Sequence, residues 1–385
     1  MTFLFLLLAM LPLGDIDFDI DKDIVSSPQP APVKQARYLM GTMCEIVAQP
    51  PAGDSTGQRT TAAINAAFVE IERLDAMLSN WKPDSELMQA NRAAASPSSI
   101  SSSGSGFSRP RAVASSELFA RLRTALDVAA RTGGLFDPTV APLVRAYGFL
   151  PPCASPPCAR QSIAGAKKKV GWRLVSLDAN TRSIAFSRPG MEIDLGGIAK
   201  GYAADRAAAN LRSAGIERAL VSLGSSSLAA IGSAPIADAA SAAGWPLILR
   251  GPEGEPTSIS FYLFDGESLA TSGTYEHRRR AGPGSVSRIS FSHIIDPRTL
   301  RPVTAAVSVT VIATDGELAD ALAKPYLLLG TLSSPAALRL LAEFPQAGVI
   351  LMAVRNGHRV VEISPAMRQR LEGKGPFTFH VAKAD

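Results

Sequence analysis

The sequence is poor in the residues that build metal and disulfide frameworks: 385 residues carry three cysteines and four histidines. Three thiols are too few for a disulfide scaffold, and no histidine lies near Cys153 and Cys158, which argues against a zinc site. Those two cysteines sit in a proline-rich turn, LPPCASPPCAR, where a local bridge can form in an oxidising compartment. Charge of one sign is scarce too. The chain holds 39 basic and 34 acidic residues, and the basic ones are scattered except for HRRR at 277–280. A solvated loop accounts for that run, and without an RNA- or DNA-binding motif beside it no nucleic-acid partner is expected. A fixed internal repeat is also lacking.

What is present is apolar material. With 46% hydrophobic and 19% charged residues, the chain can bury a large core as one domain or two intimate ones. The N-terminal TFLFLLLAMLPLG is too short to span a bilayer and suits the apolar region of a secretory signal, although no Lys or Arg precedes it and no Ala-x-Ala follows. Export is therefore expected. The acidic tract DIDFDIDKDIVSSPQPAP (15–32) looks like a tether, so residues 1–33 form leader and linker, and 34–385 the folded domain. Within it SPSSISSSGSG (96–106) marks a flexible Ser/Gly-rich loop over 96–110.

Hydrophobic spacing predicts a helix over 62–78, with Ile64, Phe68, Ile71, Leu74 and Leu78 on one face. A second runs from Ser116 to about Thr132, stopped by Gly133-Gly134. Short apolar runs at 220–223, 247–249, 307–312 and 348–354 read as strands between helical stretches. They neither alternate strictly with helices nor cluster together, so the fold class is α+β.

The most informative stretch is MEIDLGGIAKGYAADRAAANLRSAG (191–215): a short strand ending in Asp194, a glycine pair, then a helix closing at Gly215. Glycines there admit a ligand to the backbone, and free N–H groups at a helix start attract anions. It is neither a P-loop nor G-x-G-x-x-G. Lys200 could reach a phosphate or simply snorkel to water. LATSGTYE (269–276) offers hydroxyl donors, and HIIDPRTLRPV (293–303) groups His293, Asp296 and Arg298, a possible base and a possible phosphate clamp. In GGLFDPTVAPLV, Asp137-Pro138-Thr139 could be only a turn that starts the next element.

Taken in order with MGT at 40–42 and SNWKPDSEL at 79–87, these stretches resemble the successive signatures of the ApbE family, the FAD:protein FMN transferases, from about residue 37 to 330. The resemblance implies T-fold-type layers of mixed or antiparallel sheet packed with helices. It also implies FAD as substrate, magnesium as cofactor, an acceptor protein carrying a Ser/Thr target motif, and residence at the bacterial envelope close to the membrane. Met40 and Trp81 would flank the adenine. Asp137, Thr139, Asp194, Lys200, Thr271, Ser272 and Arg298 would surround the FAD, with His293 and Asp296 nearest the reacting phosphate. Gly197, through its carbonyl, and Asp320 would ligate the metal.

Departures from the family pattern are as informative. In ADALAKPYLLLG (319–330), Lys324 stands where the metal-binding threonine is expected, one helical turn from Asp320. A lysine donates only, so it cannot ligate a metal and could replace one. Pro325 would disturb the helix and could swing Lys324 outward. The LGGD-like turn reads LGSSS (223–227), and Leu300 replaces the glycine expected after DPRT, a strained choice if φ is positive there. These changes leave open a flavin-binding relative with weak pyrophosphatase chemistry, or an interaction protein that keeps only the fold.

Overall fold

The computed structural model describes residues 30–95, 111–151, 162–235, 244–276, 279–280, 290–372 and 378–382. The expected leader and nearly all of its linker, the Ser/Gly-rich loop, Cys153, Cys158 and the first half of HRRR lie outside them.

A nine-stranded sheet forms the middle layer, in the order Val33–Leu39, Thr42–Ala48, Ala219–Leu223, Ser227–Ile231, Ser268–Gly273, Val307–Ala313, Gly348–Arg355, His358–Ile363, Thr378–Val381. Every neighbouring pair is antiparallel except the last, which is parallel. Alternation along the strands sends side chains into two cores. From Val307–Ala313, the residues Val307, Val309, Val311 and Ala313 join the helical side, and Ile312 the other.

Helices cover one face: α1 Gln58–Leu78, α2 Glu86–Ala95, α3 Ser116–Arg131, α6 Ala199–Ser213, α7 Gly316–Leu329 and α8 Pro335–Glu343, while α4 Ala141–Ala146 and α5 Ile163–Lys167 share a smaller cluster with Ile295. On the other face the strands Gly244–Arg250 and Pro256–Phe264 bring Trp245, Phe261 and Leu263 against Leu228, Leu269 and Met352. The result is the α+β layering anticipated, and α1, α3 and the four apolar runs appear within a few residues of their predicted bounds.

Two local expectations change. Residues 191–194 form no strand; their extended backbone is held by side chains instead. Asn80 and Asn91 both donate to the Ile193 carbonyl, at 3.0 and 2.9 Å, and Asn91 Oδ1 accepts from the Ile193 N–H at 2.7 Å. Nor does Pro325 interrupt α7, which continues to Leu329 and ends on Gly330 at φ 65°. An interior proline costs about 3 kcal/mol. Burying Leu322 and Leu327 returns roughly 1.5–3 kcal/mol each, so packing offsets that cost.

One close approach positions the site. A Cβ at Gly201 would run into the Gly316 carbonyl oxygen, so the missing side chain lets the starts of α6 and α7 touch. That crossing brings Asp320 to the N-terminal turn of α6.

Candidate functional site

Where those helix starts meet the sheet end, a cavity of about 1070 Å³ opens. It is large enough for a dinucleotide-sized ligand. Its wall gathers Met40 from the first hairpin turn, Trp81 after α1, Phe136 and Asp137 before α4, Asp194, Gly196, Gly197 and Lys200 around the start of α6, His293 to Ile295, and Lys324 of α7. Segments nearly 300 residues apart in sequence thus share one hollow.

At its floor lies the start of α6. The N–H groups there are not free as the sequence suggested: Gly201 N–H donates to Asp320 Oδ2 at 3.3 Å, so a carboxylate from α7 already sits on the positive end of the helix dipole. Asp320 is 4% exposed. Its other oxygen, Oδ1, accepts from the Lys324 ammonium. The same Nζ donates to the Asp320 carbonyl at 2.9 Å and, across to the α6 loop, to the Gly197 carbonyl at 3.1 Å. Three protons meet three oxygens, so the ammonium is saturated within the protein. The lysine therefore turns inward, against the alternative raised by Pro325. Gly197 makes this possible: a Cβ there would stand 2.9 Å from Phe136 and 3.4 Å from Lys324 Cε.

Lys200 differs. Its Nζ donates to Ser226 Oγ at 2.7 Å, a neutral partner that leaves the full positive charge facing the cavity. Burial pushes the Asp194 carboxyl up, opposed by the Gly196 N–H it accepts at 2.8 Å and by the charges of Lys324 and Arg145. Asp137 is likewise raised by burial, against bonds from the Thr139 hydroxyl and the Thr139 and Trp172 N–H groups. With both oxygens engaged, Asp137 builds the turn before α4, the plainer of its two readings, while still lining the cavity. His293 packs edge-on to Phe149, ring centres 6.3 Å apart, and faces the same space.

Other candidates fall elsewhere. Asp296 accepts from Arg298 N–H, Nε and Nη2 at 2.9, 3.0 and 2.9 Å, and Arg298 also reaches the Leu328 carbonyl at 3.0 Å. Neither lines the cavity; together they shape the hairpin turn that follows His293. Thr139 is buried in its turn, donating to Asp137 and accepting from Gly171 N–H at 2.7 Å. Ser272 is buried in its strand. Thr271, bonded to Thr310 at 2.9 Å, lines a smaller adjoining hollow of about 230 Å³ with Thr42 and Ser226. Sequence reasoning missed Asn80, Asn91, Phe136 and Ser226. Asn80, Phe136 and Ser226 carried a signal, as members of the stretches SNWKPDSEL, GGLFDPTVAPLV and LGSSS, and Asn91 carried none.

Comparison with known proteins decides the family. Residues 40–350 match the ApbE family model. The chain belongs to the ApbE family. A Rhodobacter capsulatus protein named FAD:protein FMN transferase is 31% identical over 367 residues, 94% of this chain and 62% of the relative, so the chain spans less than two thirds of that protein. A Klebsiella pneumoniae protein of the same name is 29% identical over 316 residues, covering 79% and 81% of the two chains. Among solved structures, the flavin transferase ApbE of Vibrio cholerae superposes with TM-score 0.69 at 24% identity over 89% of this chain and 100% of its own. The ApbE protein of Thermotoga maritima gives 0.68 at 25%, over 88% and 98%.

Against the ApbE pattern, two departures now have a physical description. Leu300 and Ser225 adopt φ 55° and 57°, the left-handed region in which a side chain costs roughly 1–2 kcal/mol. The third concerns the cation. A divalent ion sharing the Gly197 and Asp320 oxygens would have to sit beside the Lys324 ammonium that already bonds both. At about 4 Å and an effective dielectric near 20, a double and a single positive charge repel by roughly 8 kcal/mol. Magnesium also demands near-octahedral oxygen donors, and here those oxygens already accept N–H bonds. Among the described residues no group of three or more His, Cys, Asp or Glu could hold a metal. The donor set does not fit the ion.

Proposed function

We propose that this chain is an FAD:protein FMN transferase, taking FAD into the large cavity and passing FMN to a Ser or Thr hydroxyl of an acceptor protein. The observation that carries this reading is the convergence of the ApbE signature segments on one cavity whose floor presents Lys200 and Lys324. The pyrophosphate lies over that floor. The adenine lies toward Met40 and Trp81, whose indole is 65% exposed and free to stack.

In the transfer, the acceptor hydroxyl oxygen attacks the phosphorus on the FMN side, the bond to the AMP oxygen breaks, and AMP leaves with the electron pair. His293 receives the hydroxyl proton. Charge on the transferring phosphoryl group is met by Lys200, the cation with protons to offer, and by the field of Lys324. No step runs through magnesium. The acceptor's Ser/Thr motif, export, and an envelope location near the membrane belong to the same reading by resemblance.

A second reading, FAD hydrolysis with water in the acceptor's place, is favoured by the replaced metal position, with the left-handed Leu300 a further departure in the hairpin turn that follows His293. Incubation with FAD and an acceptor bearing the target motif, read as in-gel flavin fluorescence, separates the two. A fluorescent acceptor band supports transfer. Free FMN and AMP with an unlabelled acceptor supports hydrolysis, and intact FAD in both fractions refutes both.

A further inference from the structure

The ammonium of Lys324 bonds the same two groups, the Gly197 carbonyl and the Asp320 carboxylate, that a divalent ion would need. It is a positive charge delivered by α7, anchored by three hydrogen bonds, and it lines the cavity. We propose that Lys324 is the resident cation of this site, so that the chain binds the FAD pyrophosphate without a divalent metal and acquires a metal site only when Lys324 is replaced. This rests on the reading that the cavity takes FAD.

Three features support a built-in charge over an ordinary surface ion pair. The Asp320 side chain is nearly fully buried and that of Lys324 is only 21% exposed, so the pair is weakly screened and its geometry is held. The acceptor set includes two backbone carbonyls from different elements, which a solvated i,i+4 pair does not require. Gly197 leaves room for the lysine stem, since a Cβ there would stand 2.9 Å from Phe136 and 3.4 Å from Lys324 Cε. Because all three ammonium protons are engaged, Lys324 acts on the phosphates through its charge, and direct donation falls to Lys200.

Two measurements on the full chain test this. FAD fluorescence quenching is titrated in EDTA and in MgCl₂, and Mn²⁺ is titrated by electron paramagnetic resonance without flavin. The parent is expected to bind FAD with affinities agreeing within about twofold in the two buffers, and to leave Mn²⁺ free. Folded Lys324→Thr, checked by circular dichroism, is expected to take up one Mn²⁺. Its FAD affinity in EDTA should fall about tenfold or more and recover with Mg²⁺. A parent that sequesters Mn²⁺, or needs Mg²⁺ to bind FAD, overturns the inference, as does a folded Lys324→Thr that leaves Mn²⁺ free. If the variant does not fold, the parent's two titrations decide alone. Failure to bind FAD in either buffer instead refutes the proposed function, while the Mn²⁺ titration still judges the cation.

Discussion

Truncating Lys324 to alanine tests how much the internal cation contributes to the fold. At about 3 Å and an effective dielectric near 20, the attraction to Asp320 is roughly 5 kcal/mol. Desolvation offsets part of it, because the carboxylate is 4% exposed. Removing one partner of such a pair costs about 3–5 kcal/mol, since the remaining charge stays buried. The partial exposure of the lysine side chain puts Lys324→Ala near the lower figure, about 3 kcal/mol. Adding Asp320→Asn should return roughly half of that, because a neutral amide oxygen can still accept the Gly201 N–H. Urea unfolding followed by tryptophan fluorescence measures both. A single variant that loses less than about 1 kcal/mol, or a double variant no more stable than the single, would refute the claim that the ammonium balances a buried charge.

Four further outcomes are expected. His293→Ala should retain FAD binding while transfer to the acceptor falls about 10²–10⁴-fold; an unchanged rate removes His293 from proton transfer. Ser225→Gly should stabilise by about 0.5–1 kcal/mol in thermal melts, because the exposed serine occupies a left-handed backbone, φ 57°, and loses no buried contact. Gly201→Ala should destabilise by at least about 3 kcal/mol or abolish soluble expression, since its methyl meets the Gly316 carbonyl; a wild-type melting temperature would show that α6 and α7 can part freely. Asp205 sits at the same crossing, where burial, with Asp315 adding to it, pushes its carboxyl up to about 6 against bonds from the Ser268 hydroxyl and the Gly316 N–H. The folded state therefore holds a proton that the unfolded chain releases. That stability is full below the unfolded value of 3.8 and is lost as pH rises through about 6. Relative to Asp205→Asn, the parent should gain roughly 2 kcal/mol between pH 7 and pH 4.5, and a flat difference across that range contradicts it.

Much of the fold was legible because its signals are local. The faces of α1 and α3 repeat with the helical period, and the runs that became Val307–Ala313 and Gly348–Arg355 are continuous because both sides of the central sheet are covered. Residues 191–194 misled for the same reason. Their apolar alternation suits a strand, but Asn80 and Asn91, about 100 residues earlier, took the backbone bonds that a neighbouring strand would have made. The site was half legible. Asp194, Lys200 and His293 do share one cavity, whereas Asp296 and Arg298, equally prominent in HIIDPRT, satisfy each other and face elsewhere. Which acceptor a polar side chain meets depends on what competes for it nearby, and spacing along the chain does not report the competitors.

By itself, then, the sequence determined the elements and the layer class, through periodicity, and set an ammonium one turn after Asp320, where the family resemblance implies a hydroxyl. Only the tertiary structure decided that α7 runs unbroken through Pro325, since burial of Leu322 and Leu327 offsets the lost helix bond. It alone also decided that Lys324 closes on Gly197. That contact depends on two helix starts touching where Gly201 and Gly316 lack side chains, 115 positions apart in the chain.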